Sequence, residues 1–165
     1  MSFLAVTSSV QGSLREVEAG AKRLAQVVLG ASHLVQMAIP KLLDPDNTVI
    51  QEWKSDLNRT LEAQANFLFQ KLAACPGLKA TSEPQGAMYS IVKIELSEFD
   101  PARIQSDLDF SAALLREENV FVLPGSAFGV PGLFRVVFCA PNSVLEEAAS
   151  RIQSFCERHI ISKSK

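Results

Sequence analysis

Val120-Phe121-Val122-Leu123-Pro124-Gly125-Ser126-Ala127-Phe128-Gly129-Val130-Pro131-Gly132-Leu133-Phe134-Arg135-Val136-Val137-Phe138 sets two short apolar runs on either side of a Gly/Pro loop. Apolar runs of this length, bounded by turn formers, predict strands over Val120–Leu123 and Phe134–Phe138. The loop holds Gly125, Gly129 and Gly132 with Pro124 and Pro131. It reads either as a connection whose turns need those residues, or as a rigid loop that brings backbone and Phe128 close to a ligand. Arg135 is the only charge in the second run, with Leu133 and Val137 on its own face. An unpaired buried guanidinium is costly. Two readings stay open: it snorkels outward from an edge strand, or it clamps a carboxylate with its fork of donors.

Working outward, Met88, Ser90, Val92, Ile94 and Leu96 alternate with Ala87, Tyr89, Ile91, Lys93 and Glu95. That period of two predicts a strand buried on at least one face. Ser106–Asp109 is a helix cap, opening a helix through Leu108, Ala112 and Leu115. Ser143–Glu146 is a capping box, and Leu145, Ala148, Ile152, Phe155 and His159 line one side of the helix after it. From Leu78 the order strand, helix, strand, strand, helix predicts an α/β layer with helices on a small sheet.

Upstream, Ile50, Trp53, Leu57, Leu61, Leu68 and Leu72 recur at helical spacing, with Phe67 and Phe69 widening the apolar face. The turn and cap cluster Asp44-Pro45-Asp46-Asn47-Thr48 opens this helix and Cys75-Pro76-Gly77 stops it. Running from Thr48 to Ala74, it spans roughly 40 Å, enough to bridge two lobes. A helix from Ser32, with Leu34, Val35, Ala38 and Leu42, contains Pro40, which should kink or shorten it. A capping box at Ser13–Glu16 opens another helix, with Val17, Ala21, Leu24 and Val28 on one face and Gly30 at its end. Phe3-Leu4-Ala5-Val6 suits a strand inside a parallel sheet.

The 165 residues are 47% apolar and 21% charged, which excludes global disorder and leaves enough chain for one core. A net charge of −2 gives no general pull toward nucleic acid or an acidic membrane. The apolar runs are too short and too often interrupted by charges to cross a bilayer. Cys75, Cys139 and Cys156 form no CxxC and no His/Cys cluster, so three reduced thiols and no metal are expected. With no basic leader in Met1–Val6, a cytoplasmic location is expected, a mitochondrial one being left open. His33 and His159 read as capping, surface or packing residues. Asp44/Asp46 and Asp107/Asp109 read as acids favoured by helix dipoles. There is no phosphate-binding glycine fingerprint and no nucleophile elbow.

Three segments occur in an informative order: Gln85-Gly86-Ala87-Met88-Tyr89, then Glu117-Glu118-Asn119-Val120-Phe121-Val122-Leu123-Pro124-Gly125, then Phe134-Arg135-Val136-Val137. Together they resemble the C-terminal part of pyridoxal-phosphate aminotransferases of fold type I, class I/II. The stretch from Leu145 to His159 is similar to the tyrosine aminotransferase branch, although alanine aminotransferases share a glycine-alanine-methionine-tyrosine segment. The resemblance runs from Phe3 to His159. It implies a strip of the large cofactor-binding domain over residues 1–45. The small C-terminal domain, with its long linking helix, would occupy residues 46–165.

The resemblance also implies roles. Arg135 matches the arginine that holds the substrate α-carboxylate, and Ser126 and Phe128 lie in the segment near the substrate side chain. Amino acid and 2-oxo acid substrates and a homodimer follow as family properties. The Schiff-base lysine, the phosphate-binding arginine and the aspartate of the pyridine nitrogen match no position here, and Lys22 matches no cofactor lysine. The expectation is a part of a tyrosine-type aminotransferase that neither binds the cofactor productively nor transaminates alone. The alternative is a non-catalytic binding or dimerisation module built from the small domain.

Overall fold

The structure, a computed structural model, describes residues 14–28 and 30–161. The expected strand Phe3–Val6, Ser13 of the first capping box and the tail beyond Ile161 lie outside the described residues. The described chain forms α1 (Arg15–Val28), α2 (His33–Leu42), α3 (Thr48–Ala73), β1 (Leu78–Ala80), β2 (Tyr89–Ile94), α4 (Asp107–Glu118), β3 (Leu123–Pro124), β4 (Leu133–Val137) and α5 (Asn142–His159). Two short 3-10 turns occupy Leu96–Glu98 and Gly125–Phe128. The contacts divide the chain into two units, Met1–Lys54 and Ser55–Lys165, the division falling within α3.

In the first unit α1 and α2 are amphipathic helices whose apolar residues stay open, among them Leu24, Val27, Leu34, Met37 and Leu42. No residue of α2 is buried. Pro40 does not stop α2, which runs two residues further. In the last turn a proline removes one backbone donor, at less cost than in mid-helix. The turn before α3 behaves as its sequence suggests. Asp44 Oδ1 accepts from the Asp46 N–H at 3.0 Å, and Asn47 Oδ1 caps α3 by accepting from the Ile50 N–H at 3.2 Å.

The second unit is a four-stranded antiparallel sheet in the order β1-β2-β4-β3. The alternation read from Met88 to Leu96 is present over β2, where Ser90, Val92 and Ile94 are buried and Tyr89, Ile91 and Lys93 are open. The core joins Ala65, Leu68 and Leu72 of α3 to Phe110 and Leu114 of α4, Phe134 of β4, and Ile152 and Phe155 of α5. Phe110 is its aromatic centre, with ring centroids 5.6, 5.5 and 5.2 Å from those of Phe99, Phe134 and Phe155. Among the described residues, no helix is long and apolar enough to cross a membrane.

Four elements differ from expectation. The strand expected at Val120–Leu123 shrinks to Leu123–Pro124, because Val120–Val122 run past the β4 edge without pairing. β1 pairs Leu78 with Ile94 and Ala80 with Val92, a three-residue strand too short to show a period. In α4 the buried stripe is Asp107, Phe110, Ser111 and Leu114, not Leu108 and Leu115. Two polar residues in that stripe mask its apolar spacing. α5 begins at Asn142 behind Pro141, whose carbonyl accepts from Val144 and Leu145, so Ser143 sits inside the first turn and is not the cap.

Candidate functional site

Arg135 projects from the side of β4 opposite the core. Its sequence neighbours Phe134 and Val136 point into or toward the core, which sends Arg135 the other way. Register then decides what it meets. Ile91 of β2 and Leu123 of β3 sit directly opposite Arg135, and Tyr89 lies on the diagonal because it pairs with Val137. A diagonal pair is within reach of a long side chain and a ring. The guanidinium carbon lies 4.5 Å from the centroid of the Tyr89 ring and 5.9 Å from that of Phe128. Among the described residues, no carboxylate pairs with it. Arg135 is half-buried and helps to line a cavity of about 420 Å³. Phe121, Leu123, Val137 and Val144 make that cavity largely apolar; the core residues Leu68 and Ile152 close its inner wall, Glu147 and Arg151 are its other charged lining residues, and Tyr89 and Phe128 lie outside it.

The Gly/Pro loop that brings Phe128 to Arg135 is fixed from below. Asp107, buried at the start of α4, accepts from the Ser126 N–H at 2.7 Å and from the Ser126 hydroxyl at 2.8 Å. Burial pushes the Asp107 carboxyl up. The bonds from Ser126, with backbone donors of Gly132 and Asp107, outweigh that and hold it below the usual carboxylate range. Gly125 is required sterically, since a Cβ there would lie 2.0 Å from the Val130 carbonyl oxygen and 2.6 Å from Leu133 Cδ1. Of the two readings left open for this loop, turn chemistry accounts for Gly129 and Gly132, whose φ angles are +82° and +83°, while Gly125 answers to the close packing of Val130 and Leu133. The same turns deliver Phe128 beside the guanidinium.

The sequence-predicted residues therefore stand as follows. Arg135 and Phe128 come together. Ser126 lies in the same loop with its hydroxyl proton given to Asp107. Sequence pattern marks neither Asp107 nor Tyr89 as a site residue. Asp107 has the place of a helix-start acid, and its partner lies 19 residues away. Tyr89 shares the odd-numbered parity of Ile91 and Lys93, a signal that places it on the open face but not against Arg135. Ser106 and Asp109 form a reciprocal cap, with the Asp109 N–H donating to Ser106 Oγ at 3.1 Å and the Ser106 hydroxyl to Asp109 Oδ2 at 2.8 Å.

The histidines and cysteines lie outside this loop. His159 is buried, packs on Phe155 at 4.4 Å between centroids, and lies 2.8 Å from Glu117 Oε2. The hydrogen bond from His159, with Arg158 beside it, holds the Glu117 carboxyl low. His33 is exposed. The three cysteines are free. Burial pushes the Cys75 thiol up to about 11 and raises Cys156 further, so neither offers a thiolate near neutral pH. Among the described residues, no cluster of His, Cys, Asp and Glu has metal-holding geometry.

Residues 3–152 match the family model described as aminotransferase class I and II. The chain is 43% identical over 136 residues to a tyrosine aminotransferase of Dictyostelium discoideum, covering 82% of this chain and 32% of that protein. It is 37% identical over 144 residues to the tyrosine aminotransferase of Mus musculus, covering 87% and 30%. The crystal structure of a tyrosine aminotransferase from Leishmania infantum matches with a TM-score of 0.77 at 35% identity, over 92% of this chain and 36% of that one. An alanine aminotransferase from Pyrococcus furiosus matches with a TM-score of 0.73 at 30% identity, over 90% and 36%. The chain spans about a third of the length of the curated relatives it matches.

Proposed function

The chain belongs to the class I and II aminotransferases, and we propose that it is the carboxylate-binding, C-terminal share of a tyrosine-type enzyme. The observation that carries this reading is Arg135: a guanidinium with no acid partner among the described residues, beside an apolar cavity and two aromatic rings. Its planar fork of donors matches a carboxylate in two parallel hydrogen bonds. In the whole enzyme Arg135 holds the α-carboxylate of an aromatic amino acid and then that of the 2-oxo acid acceptor. That fixes the position of the α-carbon, which is catalysis by orientation. Phe128 borders the bound molecule, and Ser126 keeps its hydroxyl oxygen as an acceptor at the edge of the loop.

The family depends on pyridoxal phosphate, which needs a lysine amine and a cradle for its phosphate. The described residues near Arg135 fit a carboxylate and do not fit that group. Every described lysine is exposed. Lys93, on the same sheet face, is paired with Glu95 at 2.9 Å. No step through the cofactor is assigned to these 165 residues, and by themselves they neither hold it productively nor transaminate. Residues 1–45 are read as a strip of the large domain and 46–165 as the small domain. The open apolar faces of α1 and α2 support this, since such faces call for more protein to cover them. In the whole enzyme the assembly is a homodimer.

The test is titration of the 165-residue chain with 3-phenylpropionate, an aromatic carboxylate without an amine. Saturable backbone amide shifts around Arg135, Tyr89 and Phe128, lost in Arg135→Lys, are expected. Treatment with pyridoxal phosphate and borohydride should leave no stoichiometric lysine adduct by mass spectrometry. Amide shifts that survive Arg135→Lys would refute the clamp. A stoichiometric adduct would refute the division of labour.

A further inference from the structure

Arg135 must keep its positive charge available, yet its side chain must not wander. A carboxylate partner would fix it but also neutralise it, and would compete with an incoming carboxylate for the same donors. The described residues provide no such partner. They provide two aromatic faces instead, Tyr89 at 4.5 Å and Phe128 at 5.9 Å. The face of an aromatic ring attracts a cation through its quadrupole without cancelling the formal charge. Guanidinium is weakly hydrated and suits such a surface better than an ammonium does.

We infer that Tyr89 is a positioning residue for Arg135, its ring holding the guanidinium in place while the charge stays free for a carboxylate. The inference rests on the reading of Arg135 as a carboxylate clamp. Three placements support it. The β2–β4 register puts Tyr89 on the diagonal from Arg135, so the contact is built into the pairing and needs no loop to close. Tyr89 is partly exposed and has no hydrogen bond from its hydroxyl among the described residues, so its polar end is not what holds it there. Phe128 approaches the same guanidinium from a loop pinned by Asp107, and at 5.9 Å it is the weaker of the two contacts. The ring of Tyr89, and not its hydroxyl, performs this role.

The experiment uses the full 165-residue chain with arginine side chains labelled with nitrogen-15. A proton above an aromatic face is shielded, so the Arg135 Nε–H resonance should lie upfield of the other arginines. Tyr89→Leu should remove that shift and weaken 3-phenylpropionate binding about threefold to tenfold, the scale of a cation–π contact. Tyr89→Phe should restore both, which a hydroxyl-based role would not do, and the Arg135 Nε–H shift is the readout that a merely structural role of the ring would not move. Circular dichroism and the spread of backbone amide shifts confirm that Tyr89→Leu remains folded. An Arg135 resonance unmoved in Tyr89→Leu, or moved with binding unchanged, overturns the role of Tyr89. No saturable binding by the unsubstituted chain instead overturns the clamp itself, so the two failures are separable.

Discussion

Along β4, Phe134 and Arg135 differ by one residue in sequence and by the thickness of the sheet in environment. Phe134 is fully buried, its ring stacked on Phe110 at 5.5 Å, and it answers to packing alone. Arg135 is half-buried on the other face, held by Tyr89 and Phe128 and by no acid among the described residues. The same contrast runs along β2, where Ser90, Val92 and Ile94 are buried and Tyr89, Ile91 and Lys93 are open. One face of the sheet makes the fold and the other carries Arg135 with its two aromatic neighbours. A period of two lets both purposes share five residues of chain without compromise. The same separation dictates how substitutions should behave.

The largest effect belongs to the buried face. Phe134→Ala should cost about 3–5 kcal/mol, because it removes the ring's transfer energy and leaves a cavity beside Phe110. Urea unfolding of the second unit would read this as a fall in midpoint. Next comes the loop that joins the two faces. Gly125→Ala must displace the Val130 carbonyl or Leu133, and about 1–3 kcal/mol of destabilisation is expected. It should also shift the Phe128 ring signals, whereas Phe134→Ala should act on stability first. If Gly125→Ala were silent in both, the close approach on which the loop geometry depends would be wrong.

Asp107 lets the two faces be compared through pH. Its folded carboxyl lies below the usual range because hydrogen bonds to Ser126 outweigh burial. A depressed folded pKa gives stability that is present above the unfolded value of about 3.9 and is lost as pH falls through the folded value. Asp107→Asn removes the charge and one acceptor, with an expected cost of about 1–3 kcal/mol near neutral pH. The gap in melting temperature between the two proteins should narrow below about pH 4. A gap that stays constant into acid would mean that the ionised carboxylate is not what pins the loop.

Much of this was legible in the sequence, and the failures have identifiable causes. The β2 alternation and the apolar stripe of α5 were visible because each rests on several residues at one period. Arg135 was visible because a charge in an apolar run is an anomaly. Asp107 was hidden because its partner Ser126 is distant in sequence and both sit where local rules already explain them, a helix start and a turn. The α4 stripe escapes periodicity for a related reason: Asp107 and Ser111 occupy buried positions that apolar periodicity assigns to carbon side chains. Tyr89 could be placed on the open face by parity, but its contact with Arg135 depends on the register between β2 and β4. No local pattern encodes that register.

The smallest expected effect is the most direct test of the two-faced sheet. Ile91 and Val92 are adjacent, similar in chemistry and on opposite sides of β2. Threonine keeps the branched Cβ that favours strands, so replacing either residue changes little in the backbone. Val92→Thr places a hydroxyl in a fully buried site with no acceptor arranged for it, which should cost about 1–3 kcal/mol. Ile91 is 36% exposed, so Ile91→Thr leaves its hydroxyl within reach of water and loses only part of a packed side chain, at an expected cost of about 1 kcal/mol or less. The ratio of the two matters more than either value, because the reference states of adjacent residues nearly cancel. Equal costs would mean that the open face is covered in solution, and Arg135 would then stand in an interface and not at a cavity. A large difference, with 3-phenylpropionate binding unchanged in Val92→Thr once folded, would show that the contact of Tyr89 with Arg135 does not depend on the buried face of the strand pair.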